Sequence, residues 1–155
     1  DAWGHTARAG LARRVWAATN IDESMKAVSA GEFVPGVDVA LEGVRLSGAP
    51  ERVELSGGTA SIRTDRTDRV EIEVDSRGPG LLVLRDALRA GWSATVNGAS
   101  APIHRADVLF RGVEVPSGRS VVVFSFTTPG LTLGAVTCLL SLALLLMPAL
   151  RTFRR

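Results

Sequence analysis

Cysteine is almost missing from this chain: the one in 155 residues is Cys138. The residues before it therefore have no disulfide and no thiolate metal site, and they must hold together by their own apolar core. Histidine is scarce as well, limited to His5 and His104. A metal centre wants three or four ligands, and two distant histidines without a cysteine nearby do not supply them. None of Ser61, Ser76, Ser93, Ser100 and Ser125 sits in a GxSxG elbow, the signature of many serine hydrolases. Gly78-Pro79-Gly80 lacks the Lys-Ser/Thr of a phosphate loop and reads as a turn. No cofactor is implied. Lysine is reduced to Lys26, so the other basic residues are arginines.

Against these absences stands one long uncharged run, residues 131–150, LTLGAVTCLLSLALLLMPAL, followed by Arg151, Arg154 and Arg155. Twenty residues at a helical rise of about 1.5 Å span about 30 Å, the thickness of a hydrocarbon core. The run is expected to be a transmembrane helix. Arginines flank the cytoplasmic ends of such helices, so residues 151–155 read as a cytoplasmic basic tail and residues 1–130 as extracytoplasmic. That arrangement places the ectodomain in the periplasm or at the cell exterior. The chain opens at Asp1 without the basic and apolar regions of a signal peptide. An upstream part of a larger membrane protein is therefore expected to carry it across, and the lipid bilayer and upstream membrane helices are its expected partners.

The formal charge of +2 misleads if taken over the whole chain. Residues 1–130 hold 15 basic and 16 acidic side chains, a net of −1, and the remaining three arginines are the tail. That is no nucleic-acid footprint, which needs basic residues concentrated on one face.

The pattern before 131 is that of strands. Residues 11–19 mix β-branched, aromatic and small side chains. Asn20 or Asp22 can cap a short acidic helix ending near Ala30 and Gly31. These elements make residues 1–37 a connecting strand-helix segment. Residues 38–129 are expected to form a β-sandwich domain. Val70, Ile72 and Val74 alternate with Glu71, Glu73 and Asp75, as on a half-buried strand. The more continuous apolar run Leu81–Leu84 suits a central strand. Asn97-Gly98 is a two-residue hairpin signal. Turn signals at short intervals argue a mainly β, antiparallel sandwich or jelly-roll-like fold.

Gly80 to Asp86, Gly91-Trp92, Val96-Asn97-Gly98, Ile103 with Arg105-Ala106, Phe110 to Val113, Val115-Pro116 with Gly118, and Val123 to Phe126 together form a pattern. Over residues 78–150 it resembles the C-terminal end of the bacterial YfhO-like membrane proteins. These are large multi-spanning proteins, related in layout to membrane glycosyltransferases that use polyprenyl-phosphate sugars. Leu88-Arg89-Ala90 stands where that family commonly has Tyr-Tyr-Pro, and Asp107 and Phe126 where Asn and Tyr are common. The resemblance implies a role in cell-envelope glycan or glycolipid assembly. It implies no catalytic residue here, because the family's catalytic acids would lie in other loops.

Two sets of residues are the candidates for contact with a glycan or phosphate. Trp92 offers an indole face for a sugar ring, or else packs between two sheets. Arg85 and Asp86 with Arg105, Asp107 and Arg111 are either a clamp for oxyanions or a set of cross-strand ion pairs. Arg105, Asp107 and Arg111 lie an even number of residues apart, so on an unbroken strand they would line one face, whereas a loop at Ala106–Val108 would spoil that spacing. The expected function is that of a non-catalytic extracytoplasmic module. The alternatives are a substrate-contacting part of a membrane glycosyltransferase and a stand-alone anchored component of an envelope complex.

Overall fold

A computed structural model describes residues 7–43 and 52–152, the side chains of 132 and 143–152 excepted. His5 of the sequence analysis lies outside them, as does most of the tail.

The strands are β1 (Ala9–Leu11), β2 (Arg14–Ala18), β3 (Asp38–Glu42), β4 (Arg52–Glu54), β5 (Gly58–Asp65), β6 (Arg69–Ser76), β7 (Gly80–Leu84), β8 (Trp92–Val96), β9 (Ala99–Ala101), β10 (His104–Ala106), β11 (Phe110–Val115) and β12 (Gly118–Phe126). Helix α1 (Ile21–Ser29) lies between β2 and β3, and α2 (Leu131–Thr152) follows β12. They build a seven-stranded sheet, in the order β1-β7-β11-β10-β3-β2-β4, and a five-stranded sheet, β5-β6-β12-β8-β9. The expected mainly β, two-sheet architecture is therefore present. The larger sheet departs from the expected antiparallel pattern in one pair. Strands β2 and β3 run parallel, because α1 carries the chain back before β3 begins. Asn20 caps that helix by accepting the Glu23 N–H at 3.0 Å. The Glu23 carboxylate reciprocates by accepting the Thr19 N–H at 2.7 Å. The segment before residue 38 thus contributes two strands to the larger sheet.

Burial follows the period of the sequence. Val70, Ile72 and Val74 point between the sheets, where they meet Leu82, Leu84, Val113, Val122 and Phe124. Leu81 and Val83 point the other way, into a second cluster with Val15, Val39, Leu41 and Ala106. Strand β7 is therefore dry on both faces, which is why its sequence is apolar without alternation. The β8–β9 hairpin is closed by Asn97 and Gly98 at φ 52° and 83°. A type I′ turn needs such a left-handed pair. The Asn97 side-chain oxygen accepts the Val121 N–H at 2.9 Å and ties that turn to β12.

Two expectations are corrected. The first is the transmembrane helix over 131–150: among the described residues, no helix is long and apolar enough to cross a membrane. Beyond 132, the side chains described in α2 cover 133–142. The stretch includes Thr137 and Ser141, whose hydroxyls donate back to the Gly134 and Thr137 carbonyls. The second is the unbroken strand through 105–111. The chain instead turns at 107–109, between β10 and β11, and sets Arg105 directly across from Arg111. Asp107 and Val108 adopt φ of 47° and 71° there. A β-branched residue such as Val108 seldom takes that conformation. Backbone pairing with β3 holds it: Asp107 donates its N–H to the Ala40 carbonyl and accepts the Ala40 N–H on its carboxylate, both at 2.8 Å.

Truncating Phe124, wholly buried between the sheets, should cost about 3–5 kcal/mol. Val121→Ala, on the wet face of the same strand, should change stability by less than about 0.5 kcal/mol. Urea denaturation of the two variants checks the assignment of faces; equal losses would overturn it.

Candidate functional site: an arginine-rich cleft on Trp92

Strand β7 ends at Leu84 and β8 begins at Trp92, so the loop 85–91 bridges the two sheets at one end of the sandwich. Trp92 opens β8 and packs in part against the inter-sheet core, its ring 5.4 Å from that of Phe126. Arg111 comes from the other sheet. Its register partner on β7 is Leu84, so it shares the face that points between the sheets. An arginine in that position has no water to meet. It lays its guanidinium over the indole, 3.8 Å from the ring centroid. It also donates from Nε and Nη2 to the Ala87 carbonyl at 3.2 and 3.0 Å. Its side chain is 4% exposed. Nη1 is buried without a hydrogen-bond partner, 3.9 Å from the Asp86 carboxylate. Burial lowers the Arg111 pKa, and Asp86 opposes that shift.

Asp86 is the hub of the local charges. Arg8, just before β1, grips it with two bonds, Nε to Oδ1 at 2.8 Å and Nη2 to Oδ2 at 2.7 Å. This is the bidentate fork that suits a carboxylate. Arg8 also reaches Asp65 at 2.5 Å. The fork from Arg8 holds the Asp86 carboxyl below its ordinary range, and Asp86 and then Asp65 raise the pKa of Arg8. The result is an open cleft of about 510 Å³ lined by Arg8, Arg85, Asp86, Arg89, Trp92 and Arg111, with Phe126 at its wall. Four guanidiniums face one carboxylate beside an indole. Such a set attracts an oxyanion, beside an indole one face of which Arg111 already covers.

Of the residues singled out in the sequence, Trp92, Arg85, Asp86 and Arg111 meet in this cleft. Arg105 does not: its Nε lies 3.2 Å from Glu42 on β3, and Nη1 donates to the Val108 carbonyl. Asp107 lines a second, smaller cleft of about 310 Å³ with Val28, Phe33, Phe110 and Arg85, so Arg85 borders both. Arg8 and Arg89 are the residues that sequence reasoning missed. Arg8 is far away in the chain and reaches the cleft through the pairing of β1 with β7. Arg89 had a signal, since it falls in the Leu88-Arg89-Ala90 stretch where the aromatic motif is replaced. A larger concavity, about 900 Å³, lies at the opposite end, where Arg13, Arg14 and Arg77 are balanced by Glu54 and Asp75. Arg14 is further committed to the buried Asp38. Among the described residues no three His, Cys, Asp or Glu side chains converge as metal ligands would.

Residues 53–138, more than half of the chain, match the family of the bacterial membrane protein YfhO. The chain belongs to the YfhO family. Membrane association comes with that membership. Comparison with curated proteins and with solved structures finds no match. The YfhO match takes in the whole 85–92 loop, Arg111 and Phe126, and leaves Arg8 outside.

Asp107 supplies a test of how dry this end of the domain is. Desolvation, partly offset by the Ala40 N–H, pushes its pKa from 3.8 up to about 6. A carboxyl raised in the folded state binds more protons folded than unfolded, so its ionisation destabilises the fold. The penalty is nil below the unfolded value and complete above about 6. Asp107→Asn keeps the acceptor for Ala40 and tolerates left-handed backbone. It should be more stable than the native chain at neutral pH, by up to about 3 kcal/mol, with the gain vanishing in acid. Urea midpoints at the two pH values measure this, and a variant less stable at neutral pH would refute it.

Proposed function

We propose that this chain is a non-catalytic, extracytoplasmic β-sandwich module of a bacterial inner-membrane protein that acts in cell-envelope glycan or glycolipid assembly. Its cleft contacts an anionic glycan. The observation that carries this reading is the meeting of an indole with four guanidiniums in one concavity, among them Arg89, which makes no ion pair among the described residues. Arginine forks suit phosphate oxygens, and the part of the indole that Arg111 leaves uncovered suits a sugar ring. Membership of the YfhO family supports a site of action at a bacterial membrane. The same cleft also supports the neighbouring reading, in which the module contacts a lipid-linked sugar on behalf of a membrane glycosyltransferase. In both, the bond-making chemistry belongs to other residues, and this domain holds and orients.

Trp92 is a poor probe by itself, since it is half-buried and packs against the core. Arg89 is exposed and pairs with no acidic side chain among the described residues. Titration of the full chain with a hexose phosphate should shift the Trp92 indole N–H signal in NMR spectra, while the unphosphorylated hexose should not. Arg89→Gln should weaken that binding about tenfold or more, the worth of one charged hydrogen bond. An indole signal that ignores both sugars, or an affinity indifferent to Arg89, would remove the basis for this function.

A further inference from the structure

The cleft is part of a larger surface. Strand pairing brings five chain segments to the same end of the sandwich. Arg85 donates its backbone N–H to Arg8, Leu88 to Leu109, Phe126 to Asp68 and Thr127 to Gly91. The end therefore consists of Arg8, the 66–69 turn, the 85–91 loop, the 107–109 turn and the residues leading into α2. Six arginines lie here, at 8, 66, 69, 85, 89 and 111, against aspartates 65, 68, 86 and 107 and Glu71, the partner of Arg69. Arg66 and Arg89 are exposed and make no ion pair among the described residues. Inside the cleft, Arg111 is 4% exposed and keeps one buried N–H without an acceptor.

Apolar groups stand exposed at the same end. Leu109, at the tip of its strained turn, is 59% exposed, and Leu131 and Leu133 at the start of α2 are 66% and 70% exposed. Gly91 locks the two parts together. A Cβ there would lie 2.5 Å from the Thr127 carbonyl oxygen and 3.1 Å from Pro129. The basic loop and the root of α2 are thus in contact and face the same surroundings. Exposed leucines rimmed by arginines are what an interfacial, anionic lipid surface binds.

The geometry points to this end of the domain as a docking face for an anionic phospholipid bilayer, with a lipid headgroup phosphate entering the cleft beside Arg89 and Arg111. The unsatisfied Arg111 N–H and the open Arg89 fork supply donors for the phosphate, and Leu109 reaches the headgroup–acyl boundary. The opposite end, with Arg13 and Arg77, faces away. This inference goes beyond the glycan reading and stands whether or not a sugar also enters the cleft.

Partitioning of the full chain onto phosphatidylcholine vesicles, with and without phosphatidylglycerol, tests it. The apolar residues of α2 contribute to both, so the ratio is what matters. Arg66→Gln and Arg89→Gln should each lower the preference for anionic vesicles about fivefold. Arg13→Gln and Arg77→Gln should leave it unchanged. Hydrogen exchange should slow at 85–91 and 107–109 on anionic vesicles only. Equal losses from both ends of the sandwich, or no preference for phosphatidylglycerol, would overturn the proposal. So would protection of 107–109 by inorganic phosphate without vesicles, since Leu109 is placed to meet lipid and not a soluble anion. No sugar enters this experiment, so its failure leaves the glycan titration standing.

Discussion

Leu82 and Leu84 point between the two sheets while Leu81 and Val83 point into the second cluster, so β7 has no wet side. Everything else in the fold is arranged around that strand. It pairs with β1 on one edge and β11 on the other, and so draws the N-terminal residues and the β10–β11 hairpin to the same place. A strand buried twice must satisfy its backbone on both edges, because no water reaches it. That requirement recruits β1 from the far end of the sequence. Arg8 arrives at the cleft as a consequence.

The dry layer between the sheets also sets the chemistry at its rim. Leu84 and Arg111 share one face and one register position, so the layer of aliphatic side chains ends abruptly in a guanidinium. Placing a charge there is costly unless something flat and polarisable receives it. Trp92 from the other sheet does so, and the Ala87 carbonyl takes two of its N–H groups. Asp86 compensates the charge from the solvent side and is itself held by Arg8. The cleft is thus the polar termination of an apolar core. Its arginines share two carboxylates, Asp86 and, through Arg8, Asp65.

Much of this architecture is legible in the residues. The alternation of Val70, Ile72 and Val74, the Asn97-Gly98 turn and the Asn20 cap are local signals, decided by side-chain period and by backbone angles within a few residues. The unbroken apolar run of β7 announces its double burial for the same reason. Trp92, Arg85, Asp86 and Arg111 are marked by residue type. The break in the strand through 105–111 is open to the sequence only as an alternative, because Asp107-Val108 is poor turn chemistry on local grounds. Its left-handed backbone is held by Ala40, 67 positions away in sequence. The apolar run at 131–150 suggests a membrane span by composition, whereas among the described residues no helix is long and apolar enough to cross a membrane.

The sequence by itself determined the strand-rich class, the half-buried faces and the kinds of side chain available to a site, because these depend on period and propensity over a few neighbours. Only the tertiary structure decided which of those side chains meet. It separated Arg105 and Asp107 from the Trp92 cleft and added Arg8 and Arg89 to it. It also made one pair of strands parallel through the α1 crossover. The physical reason is register. A shift of one residue in the pairing of β7 with β11 would turn Arg111 out of the inter-sheet layer, and pairing between strands so far apart in the chain is set by the packing of both sheets at once.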